Sequence, residues 1–279
     1  MMEPMDFLKT YTLLPNFRGK NFLGQKLLKV LPKKSFTQTQ KMLTGFRLQL
    51  DLRDRMQAVM FIKRCHEPET EMVFKEMAKS SKVFLDVGAN IGYFSFLVKQ
   101  MSPQSKVYSF EPLPQNILAY QKNRELNNFS LMFLQEVCVA DKAGDTEFLI
   151  PPSEESGWGR MAHRDLFSGE KIKRQVITLD EFCEQNQLTA VDFMKIDVEG
   201  YEFKVLQGAQ KLIETQRPRI CIELNEPCLL DTGTSGEEIF RFFKDRNYQM
   251  HALDTKKGLF KVQAPVPYYK YLNYFALPK

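Results

Sequence analysis

A short run of charged residues, MKIDVEGYE at residues 194–202, completes an apolar stretch that is typical of a buried strand. Side chains alternate between the two faces of a strand, so Lys195 and Asp197 are expected to project from the same face. A carboxylate there can orient a hydroxyl group or accept its proton, and a lysine can keep it ionised or position an acidic substrate. We therefore predict that Asp197 and Lys195 are catalytic residues. Glu199 either shares this role or caps the helix that starts near Glu202.

A second predicted strand, in the segment RPRICIELNE, ends on two oxygen donors, Glu223 and Asn225. We predict that Glu223 belongs to the catalytic group. Together with Asp197, these donors have the composition that Mg²⁺ and other hard cations prefer. One hypothesis is a divalent cation that binds an acceptor hydroxyl and lowers its pKa. The other is that the oxygens only bind loop amides, so the question of a metal stays open.

A glycine-containing turn in VFLDVGANIGYFSF joins the predicted strand Val83–Val87 to a helix. Gly88 and Gly92 permit the backbone to approach a ligand, and Asn90 tolerates a left-handed conformation. The pattern differs from the GxGxxG of dinucleotide sites. Asp86 would repel a pyrophosphate but would suit a ligand with positive charge.

A further acidic residue, Glu111 in the segment YSFEP, lies 23 residues after Gly88 (111 minus 88). An acid at the end of the second strand usually accepts hydrogen bonds from a ribose diol. The glycine turn, Asp86 and Glu111 together predict a nucleoside ligand with a cationic end. A strand-to-helix turn without a ligand is the alternative.

Short apolar runs alternate with helical patterns from Lys82 onward, which is typical of βαβ units and a twisted, mostly parallel sheet. The helical patterns cover residues 91–101, 113–127 and 202–214, and an alternating strand precedes them at residues 46–52. Ligands bind outside the carboxyl ends of such strands, where the polar residues described above are expected. The predicted fold class is therefore α/β.

Five segments resemble those of the FkbM-type methyltransferases, in the order FLDVGANIGYFS, YSFEP, ITLDEF, DFMKIDVEGYEFKVLQGA and RPRICIELNE. This family is a branch of the Rossmann-like enzymes that use S-adenosylmethionine, a nucleoside with a cationic amino-acid end, and it mostly methylates hydroxyl oxygens. The resemblance extends over residues 48–275 and includes the upstream LDLRDRMQAVMFIKRCHEPET. It implies a Rossmann-like methyltransferase fold with helices on both sides of the sheet.

The resemblance also implies roles for individual residues. The turn from Gly88 to Gly92 should line the methionine moiety of S-adenosylmethionine, with Asp86 near its amino group. Glu111 should bind the ribose, and the strand end VADK at residues 139–142 should border the adenine. The complete predicted cofactor site is Asp86, Gly88, Ala89, Asn90, Gly92, Glu111, Pro112 and Ala140.

This chain lacks a histidine that many members of the family carry and that could act as their catalytic base. Many members carry a histidine two residues after the glutamate that corresponds to Glu223, where this chain has Asn225. If that histidine is their base, its role is unfilled or moved here. His66 and His163 are the candidates to replace it, and an ordinary packing or surface role is the alternative for each.

The chain is predicted to contain a basic, helical lead-in at residues 1–45 and a methyltransferase domain at residues 46–279. Residues 144–171 mix Ser, Gly, Pro and charge and include the single tryptophan, Trp158. Loops of this length usually have a function, so we predict a lid or substrate-recognition loop, with a flexible insertion as the alternative.

The formal net charge of +5 is concentrated near the N-terminus. Residues 1–66 contain 13 Lys or Arg and four acids, a net of +9, so the rest carries 5 minus 9, or −4. This segment is predicted to contact a membrane surface, a nucleic acid or an anionic substrate. The alternative is a solvated amphipathic helix packed on the main domain. No signal peptide and no run of about 20 apolar residues is present, so a cytoplasmic location is expected. Five scattered cysteines without a CxxC pair support neither disulfides nor zinc.

The predicted function is an S-adenosylmethionine-dependent O-methyltransferase that acts on a hydroxyl of a sugar, glycan or secondary metabolite. The basic segment and the Lys-Asp-Glu set motivate an alternative, an RNA 2'-O-methyltransferase. No RNA-binding module is recognisable, so a nucleic-acid partner is not expected. A third interpretation is a catalytically silent protein of the same fold that binds a glycan or another partner.

Overall fold

The computed structural model describes residues 4–28, 36–150, 160–161, 170–254, 258–266 and 271–279. The helices in these ranges are α1 (Pro4–Thr12), α2 (Lys20–Leu28), α3 (Arg55–Lys63), α4 (Pro68–Ala78), α5 (Tyr93–Met101), α6 (Pro114–Asn127), α7 (Leu179–Gln185), α8 (Glu202–Gln207), α9 (Gln210–Gln216), α10 (Glu226–Asp231) and α11 (Gly236–Asp245). The strands are β1 (Thr37–Lys41), β2 (Arg47–Asp51), β3 (Val83–Val87), β4 (Lys106–Phe110), β5 (Met132–Gln135), β6 (Cys138–Val139), β7 (Gly144–Leu149), β8 (Arg160–Met161), β9 (Lys171–Ile177), β10 (Phe193–Ile196), β11 (Arg219–Asn225), β12 (Tyr248–Asp254), β13 (Gly258–Lys261) and β14 (Tyr271–Pro278). Among the described helices, none has the length and apolar character needed to cross a membrane.

Eight strands form the central sheet, in the order β13-β12-β14-β11-β10-β3-β4-β5. The five neighbouring strands β11, β10, β3, β4 and β5 are parallel to one another. Strand β14 is antiparallel to both of its neighbours, β11 and β12. The strand order reverses between β3 and β10, and the carboxyl ends of strands at such a reversal form a crevice that binds ligands. The sheet confirms the predicted α/β class.

The two faces of the central sheet bury separate hydrophobic clusters. Strand β10 shows the division, because Phe193 belongs to one cluster and Met194 to the other. On the Phe193 face, the ring of Phe193 lies 4.5 Å from that of Phe74 in α4 and 5.3 Å from that of Phe84 in β3. Phe84 of β3, Phe193 of β10 and Cys221 of β11 all belong to this cluster. Because side chains alternate along a strand, the residues two positions later lie on the same face, and these are the polar residues Asp86, Lys195 and Glu223.

The N-terminal helices share a hydrophobic core with the Phe193 face of the sheet. Leu8 of α1 and Leu28 of α2 are buried in the same cluster as Phe84. Strand β1, which lies within the predicted lead-in, pairs along its whole length with β2, which lies in the predicted domain. The lead-in therefore contains a strand as well as helices, and a domain boundary near residue 45 stays a prediction.

A smaller sheet, in the order β6-β9-β7-β8, includes both ends of the predicted loop at residues 144–171. Strand β7 pairs antiparallel with β9 from Gly144 to Leu149, so these residues form a ladder and not a flexible insertion. Trp158 and His163 lie outside the described residues. The prediction of a loop is therefore wrong for residues 144–149 and for Lys171, which lie in strands. A role of the middle of the segment as a lid or substrate-recognition loop stays a prediction.

The single helix predicted at residues 202–214 is two helices, α8 and α9. The side chain of Asp180 accepts hydrogen bonds from the N–H groups of Lys211 (3.0 Å) and Leu212 (2.8 Å), which caps the start of α9. At the break, a Cβ at Gly208 would overlap the carbonyl oxygen of Ala140. Contacts between distant segments therefore interrupt a helix that the local pattern predicts as continuous.

The turn after β3 lies directly against the end of β10. The N–H of Asp197 donates to the carbonyl oxygen of Val87 (3.0 Å), and a Cβ at Gly88 would overlap the carbonyl oxygen of Asp197. Gly88 also has a φ of 83°, a left-handed conformation that side chains disfavour. Backbone crowding therefore requires glycine at this position, apart from any contact with a ligand.

We predict that Gly88→Ala destabilises the fold more than Gly233→Ala. The two glycines have similar φ values of 83° and 79°, but nothing lies within 4 Å of a Cβ at Gly233. The left-handed conformation costs about 1–2 kcal/mol at either position, and overlap should add about 1–3 kcal/mol at Gly88. Urea unfolding measures both losses, and equal losses would show that the backbone relaxes around the added methyl group.

Candidate functional site

A cavity of about 220 Å³ opens at the carboxyl ends of β3, β4 and β10. It is lined by residues from both groups that the sequence analysis identified. The predicted residues in its lining are Asp86, Gly88, Ala89, Asn90, Glu111, Pro112, Lys195, Asp197 and Glu223. The structure therefore brings the candidate cofactor residues and the candidate catalytic residues together in one cavity.

Gly92, a predicted cofactor residue, does not line this cavity. A Cβ at Gly92 would lie 2.6 Å from the ring of Phe96 and 2.7 Å from the ring of Tyr120, and its φ is 92°. The second glycine of the turn is therefore required by its own left-handed backbone and by packing against these rings.

Ala140, also predicted to contact the cofactor, lies outside the lining as well. It is buried, and its carbonyl oxygen faces Gly208 at the break between α8 and α9. The preceding residues, Cys138 and Val139 of β6, line the cavity instead.

Glu111 is buried at the end of β4, where it holds the glycine turn in place. Its Oε2 accepts a hydrogen bond from the N–H of Asn90 (2.7 Å), and its Oε1 accepts from the N–H of Leu113 (2.9 Å) and the side-chain amide of Asn116 (3.3 Å). Burial raises the pKa of Glu111 to about 7, against the lowering effect of these donors. Because each carboxylate oxygen has two lone pairs, Oε2 of Glu111 can accept one further hydrogen bond from a ligand.

Asp86 lies at the end of β3 and is 1% exposed. Its Oδ2 accepts a hydrogen bond from the hydroxyl of Ser95 (2.5 Å), and the chain of hydroxyls continues through Ser109 to Tyr120. Burial raises the pKa of Asp86, although Lys195 and Ser95 act in the opposite direction. A further positive charge in the cavity would favour the ionised form of Asp86.

Lys195 lies among the carboxylates of the cavity and is 3% exposed. Its Nζ donates a hydrogen bond to Oδ2 of Asp197 (2.5 Å) and lies 4.8 Å from the ring centroid of Phe94. Burial alone would lower the pKa of Lys195, but the carboxylates of Asp197, Glu67 and Asp86 raise it overall. Lys195 is therefore a cation at neutral pH, and its side chain lies in direct contact with that of Asp197.

Asp197, just after β10, and Glu223 of β11 form a close pair of carboxyl groups, with one oxygen of each within 4.8 Å of the other. Burial would raise the pKa of Asp197, but the charge of Lys195 lowers it overall. The negative charge of Asp197 raises the pKa of Glu223 well above its ordinary value, and burial adds to this effect. The pKa values of the two carboxyl groups are thus displaced in opposite directions, which favours the ionised form of Asp197, whose side chain is 24% exposed.

Glu199 belongs to the same cluster of carboxylates. One oxygen from each of Asp197, Glu199 and Glu223 lies within 4.8 Å of the other two. This donor set fits a hard divalent cation in its chemistry. Lys195 supplies a positive charge to Asp197 by a direct hydrogen bond, and the use of a metal stays a hypothesis.

Asn225, the third oxygen donor of the hypothetical cation site, does not line the cavity. It is the N-cap residue of α10 and completes β11. Glu199, whose role the sequence left open, takes its place in the cluster.

Glu202 binds the amides of the turn before α8. Its Oε1 accepts hydrogen bonds from the N–H groups of Val198 and Gly200, each at 3.1 Å. Glu199 has a left-handed backbone with a φ of 52°. Such conformations are disfavoured for residues other than glycine and are concentrated at functional sites.

Two residues in the turn before α4, His66 and Glu67, also line the cavity. Nε2 of His66 lies 3.2 Å from Oε1 of Glu67, and the His66 ring packs edge-on against Tyr93 with centroids 5.4 Å apart. Burial would raise the pKa of Glu67, but His66 and Lys195 lower it overall. Glu67 was missed as a site residue, although the segment CHEPET that contains it carried part of the family resemblance.

The sequence matches a protein-family model over more than half of its length. Residues 86–250 match the family described as the methyltransferase FkbM domain. The matched region begins in β3 and ends in β12, so it contains the glycine turn and the carboxylate cluster. The match confirms the family that the sequence motifs predict.

Three curated proteins are similar to the chain. The hexuronic acid methyltransferase AglP of Haloferax volcanii is 26% identical over 149 residues, which cover 53% of this chain and 59% of AglP. The 2-O-methyltransferase NoeI of Sinorhizobium fredii is 27% identical over 157 residues, 50% of this chain and 63% of NoeI. The 31-O-demethyl-FK506 methyltransferase FkbM of Streptomyces tacrolimicus is 27% identical over 165 residues, 50% of this chain and 62% of that protein. The chain thus spans less than two thirds of the length of each of these relatives.

We predict that Lys195→Met destabilises the protein by about 3–5 kcal/mol at pH 7, because buried carboxylates are left without their cation. The pKa of Asp197 is lowered in the folded state, so its contribution is present above its unfolded-state value and is lost as the pH falls through the folded-state value. The loss caused by Lys195→Met should therefore shrink below about pH 4, the ordinary pKa of aspartate. Urea unfolding between pH 8 and pH 3 measures this dependence.

Lys204→Met is the matched control for this prediction. Lys204 also pairs with an aspartate, Asp141 at 3.0 Å, but its side chain is 40% exposed. An exposed pair contributes less than about 1 kcal/mol. If Lys195→Met were no less stable than Lys204→Met, the buried cation would not have the role assigned to it.

Proposed function

The chain belongs to the FkbM methyltransferase family, and we propose that it transfers a methyl group from S-adenosylmethionine to a hydroxyl oxygen of a sugar, glycan or secondary metabolite. One observation carries this proposal. The glycine turn and Glu111 share a cavity with a carboxylate, Asp197, that Lys195 keeps ionised. Two relatives support this class of acceptor, namely the hexuronic acid methyltransferase AglP and the 2-O-methyltransferase NoeI.

The residues of the cavity fit S-adenosylmethionine. Glu111 is able to accept a hydrogen bond from a ribose hydroxyl, and Asp86 suits the cationic methionine end. The apolar side chains of Leu113, Val137 and Val139 line the same cavity and suit an adenine ring. When bound, S-adenosylmethionine supplies an electrophilic methyl group.

Asp197 is proposed to bind the acceptor hydroxyl and to take its proton. A neutral alcohol oxygen that gains a methyl group becomes positively charged, and its O–H becomes strongly acidic, so even a carboxylate of lowered pKa accepts the proton. The hydrogen bond from the hydroxyl to Asp197 also fixes the oxygen for in-line attack. The 24% exposure of the Asp197 side chain provides the access that this contact needs.

Lys195 and Glu223 are proposed as positioning residues that act through Asp197. Lys195 donates a hydrogen bond to the carboxylate and favours its ionised form, and the carboxyl group of Glu223 lies beside it in the same cluster. Both contacts restrict the rotation of the Asp197 side chain, which favours a single orientation toward the acceptor.

Label transfer from S-adenosylmethionine tests the proposed function. The protein is incubated with methyl-labelled S-adenosylmethionine and fractions of a cell extract, and label is expected in a product that resists mild alkali, as ethers do and methyl esters do not. Tight binding of S-adenosylmethionine without transfer to any glycan, lipid or RNA acceptor would instead indicate a binding protein.

We predict that Asp197→Asn lowers turnover by about 10²–10⁴-fold, because an amide cannot accept the hydroxyl proton. Cofactor affinity should change little, since the substitution preserves the shape of the side chain. Single-turnover transfer gives the rate, and calorimetric titration with S-adenosylmethionine gives the affinity.

Asp245→Asn, a change of the same type at an exposed position at the end of α11, is the control and should leave both values unchanged. Normal turnover in Asp197→Asn would remove Asp197 from the mechanism. In that case His66→Gln becomes the variant to measure, because His66 lines the same cavity.

We predict that Glu111→Ala weakens S-adenosylmethionine binding roughly ten- to hundredfold, the value of one hydrogen bond to a charged group. The wild-type affinity should also decline as the pH falls through about 7, because protonation of Glu111 makes it a weaker acceptor. Calorimetric titration between pH 6 and pH 8 measures both effects.

Glu184→Ala serves as the control for Glu111→Ala, since the Glu184 side chain is 74% exposed and pairs only distantly with Lys211 (3.7 Å). It should bind S-adenosylmethionine with the wild-type pH dependence. An unchanged affinity in Glu111→Ala would disprove the assignment of Glu111 to the ribose.

A further inference from the structure

The N-terminal helices display a concentration of exposed apolar side chains. Thirteen large apolar side chains are exposed within the described residues, and six of these fall between residues 7 and 23. Single exposed apolar residues are ordinary, but a concentration of this kind usually marks an interaction surface. The six residues, with exposures from 46% to 65%, define the N-terminal apolar surface: Phe7, Leu13, Leu14, Phe17, Phe22 and Leu23.

Hydrogen bonds fix the segment that carries this surface. Lys20, which is 2% exposed, donates from Nζ to the carbonyl oxygens of Thr12 (3.0 Å) and Leu14 (2.5 Å) after α1. The side-chain amide of Asn16 donates to the carbonyl oxygen of Lys63 (3.2 Å) at the end of α3. These contacts hold the turn between α1 and α2, so the apolar side chains belong to a helix–turn–helix segment of defined structure.

The same segment is basic. Lys9, Arg18 and Lys26 are exposed, and Asp6 is the single acidic residue between residues 4 and 28. Nζ of Lys26 lies 4.6 Å from the ring centroid of Phe22, so a cation and an aromatic ring are presented side by side. The surface thus combines apolar side chains with positive charge.

We propose that the N-terminal apolar surface docks the protein onto an anionic membrane. Phenylalanine and leucine side chains enter the boundary between lipid headgroups and acyl chains, while exposed lysine and arginine bind anionic headgroups. Interfaces between proteins are depleted of lysine, so the combination observed here favours a lipid surface over a protein partner. The net charge of +9 in residues 1–66, 13 minus 4, has the sign that this partner requires.

The docking surface is connected by packing to the candidate site. Helix α2 lies so close to α3 that a Cβ at Gly24 would lie 2.7 Å from the side chain of Ile62. Met56 and Met60 of the same helix α3 line the cavity. Docking therefore holds one wall of the cavity near the bilayer. If the protein methylates a hydroxyl group as proposed above, docking implies that this hydroxyl belongs to a lipid or a lipid-linked glycan. Docking itself does not depend on the proposed function.

Sedimentation with lipid vesicles tests docking without any assay of methyl transfer. The full chain is expected to bind vesicles of phosphatidylcholine with phosphatidylserine, and to bind phosphatidylcholine alone much more weakly. The double variant Phe17→Ser/Phe22→Ser should lower binding about tenfold or more, because two buried apolar side chains are lost. Lys9→Gln/Lys26→Gln should lower binding to the anionic vesicles about fivefold for each charge removed.

Leu118→Ser/Leu230→Ser is the matched control, because these side chains are 57% and 61% exposed on other helices. It should bind vesicles like the wild type. Absence of wild-type binding to anionic vesicles, or equal binding by Phe17→Ser/Phe22→Ser, overturns the proposal. The proposal is also overturned if the wild type binds no vesicles and is a dimer, and if Phe17→Ser/Phe22→Ser is a monomer. That result would assign the surface to contact with a second copy of the chain. Calorimetric binding of S-adenosylmethionine to the same preparations reports separately on the cofactor site.

Discussion

The enclosed positive charge of Lys195 is the interaction on which the candidate site depends. Glu67 from the turn before α4, Asp86 from β3 and Asp197 at the end of β10 all act on it. Enclosing these carboxylates together would be costly without a cation among them, so Lys195 allows segments that are far apart in the sequence to meet. The same charge lowers the pKa of Asp197, whereas the charge of Asp197 raises the pKa of Glu223, so Asp197 is the more readily ionised of the two carboxyl groups.

Main-chain contacts connect the two halves of this site. Gly88 belongs to the turn that is proposed to hold S-adenosylmethionine, and a side chain there would overlap the carbonyl oxygen of Asp197. At Gly200, just beyond Asp197, a Cβ would overlap the carbonyl oxygen of Cys228. Backbone packing, which is stiffer than side-chain packing, thus sets the distance between the cofactor turn and the proposed proton acceptor. Transfer of a group between two bound molecules depends on such a fixed distance.

The sequence predictions were correct where a structure depends on neighbouring residues, and wrong where it depends on contacts between distant segments. Strand Val83–Val87 was predicted at its observed boundaries, because a short apolar run and a following glycine are local signals. The helix at residues 202–214 was wrong as a single element, because Asp180 caps a second helix from a distance. Residues 144–149 were wrong as a loop, because their polar composition concealed pairing with β9.

Local patterns were sufficient for the α/β class, the family and the polar residues at the strand ends, because period-two alternation, turn residues and motif spacing are written into adjacent positions. They could not distribute the charge among the carboxylates. Which of Asp197 and Glu223 holds a proton depends on burial and on Lys195, and the entry of His66 and Glu67 into the site depends on how α4 packs against the sheet. Desolvation and charge interactions act between groups that meet only in the folded chain, so only the folded chain assigns these roles.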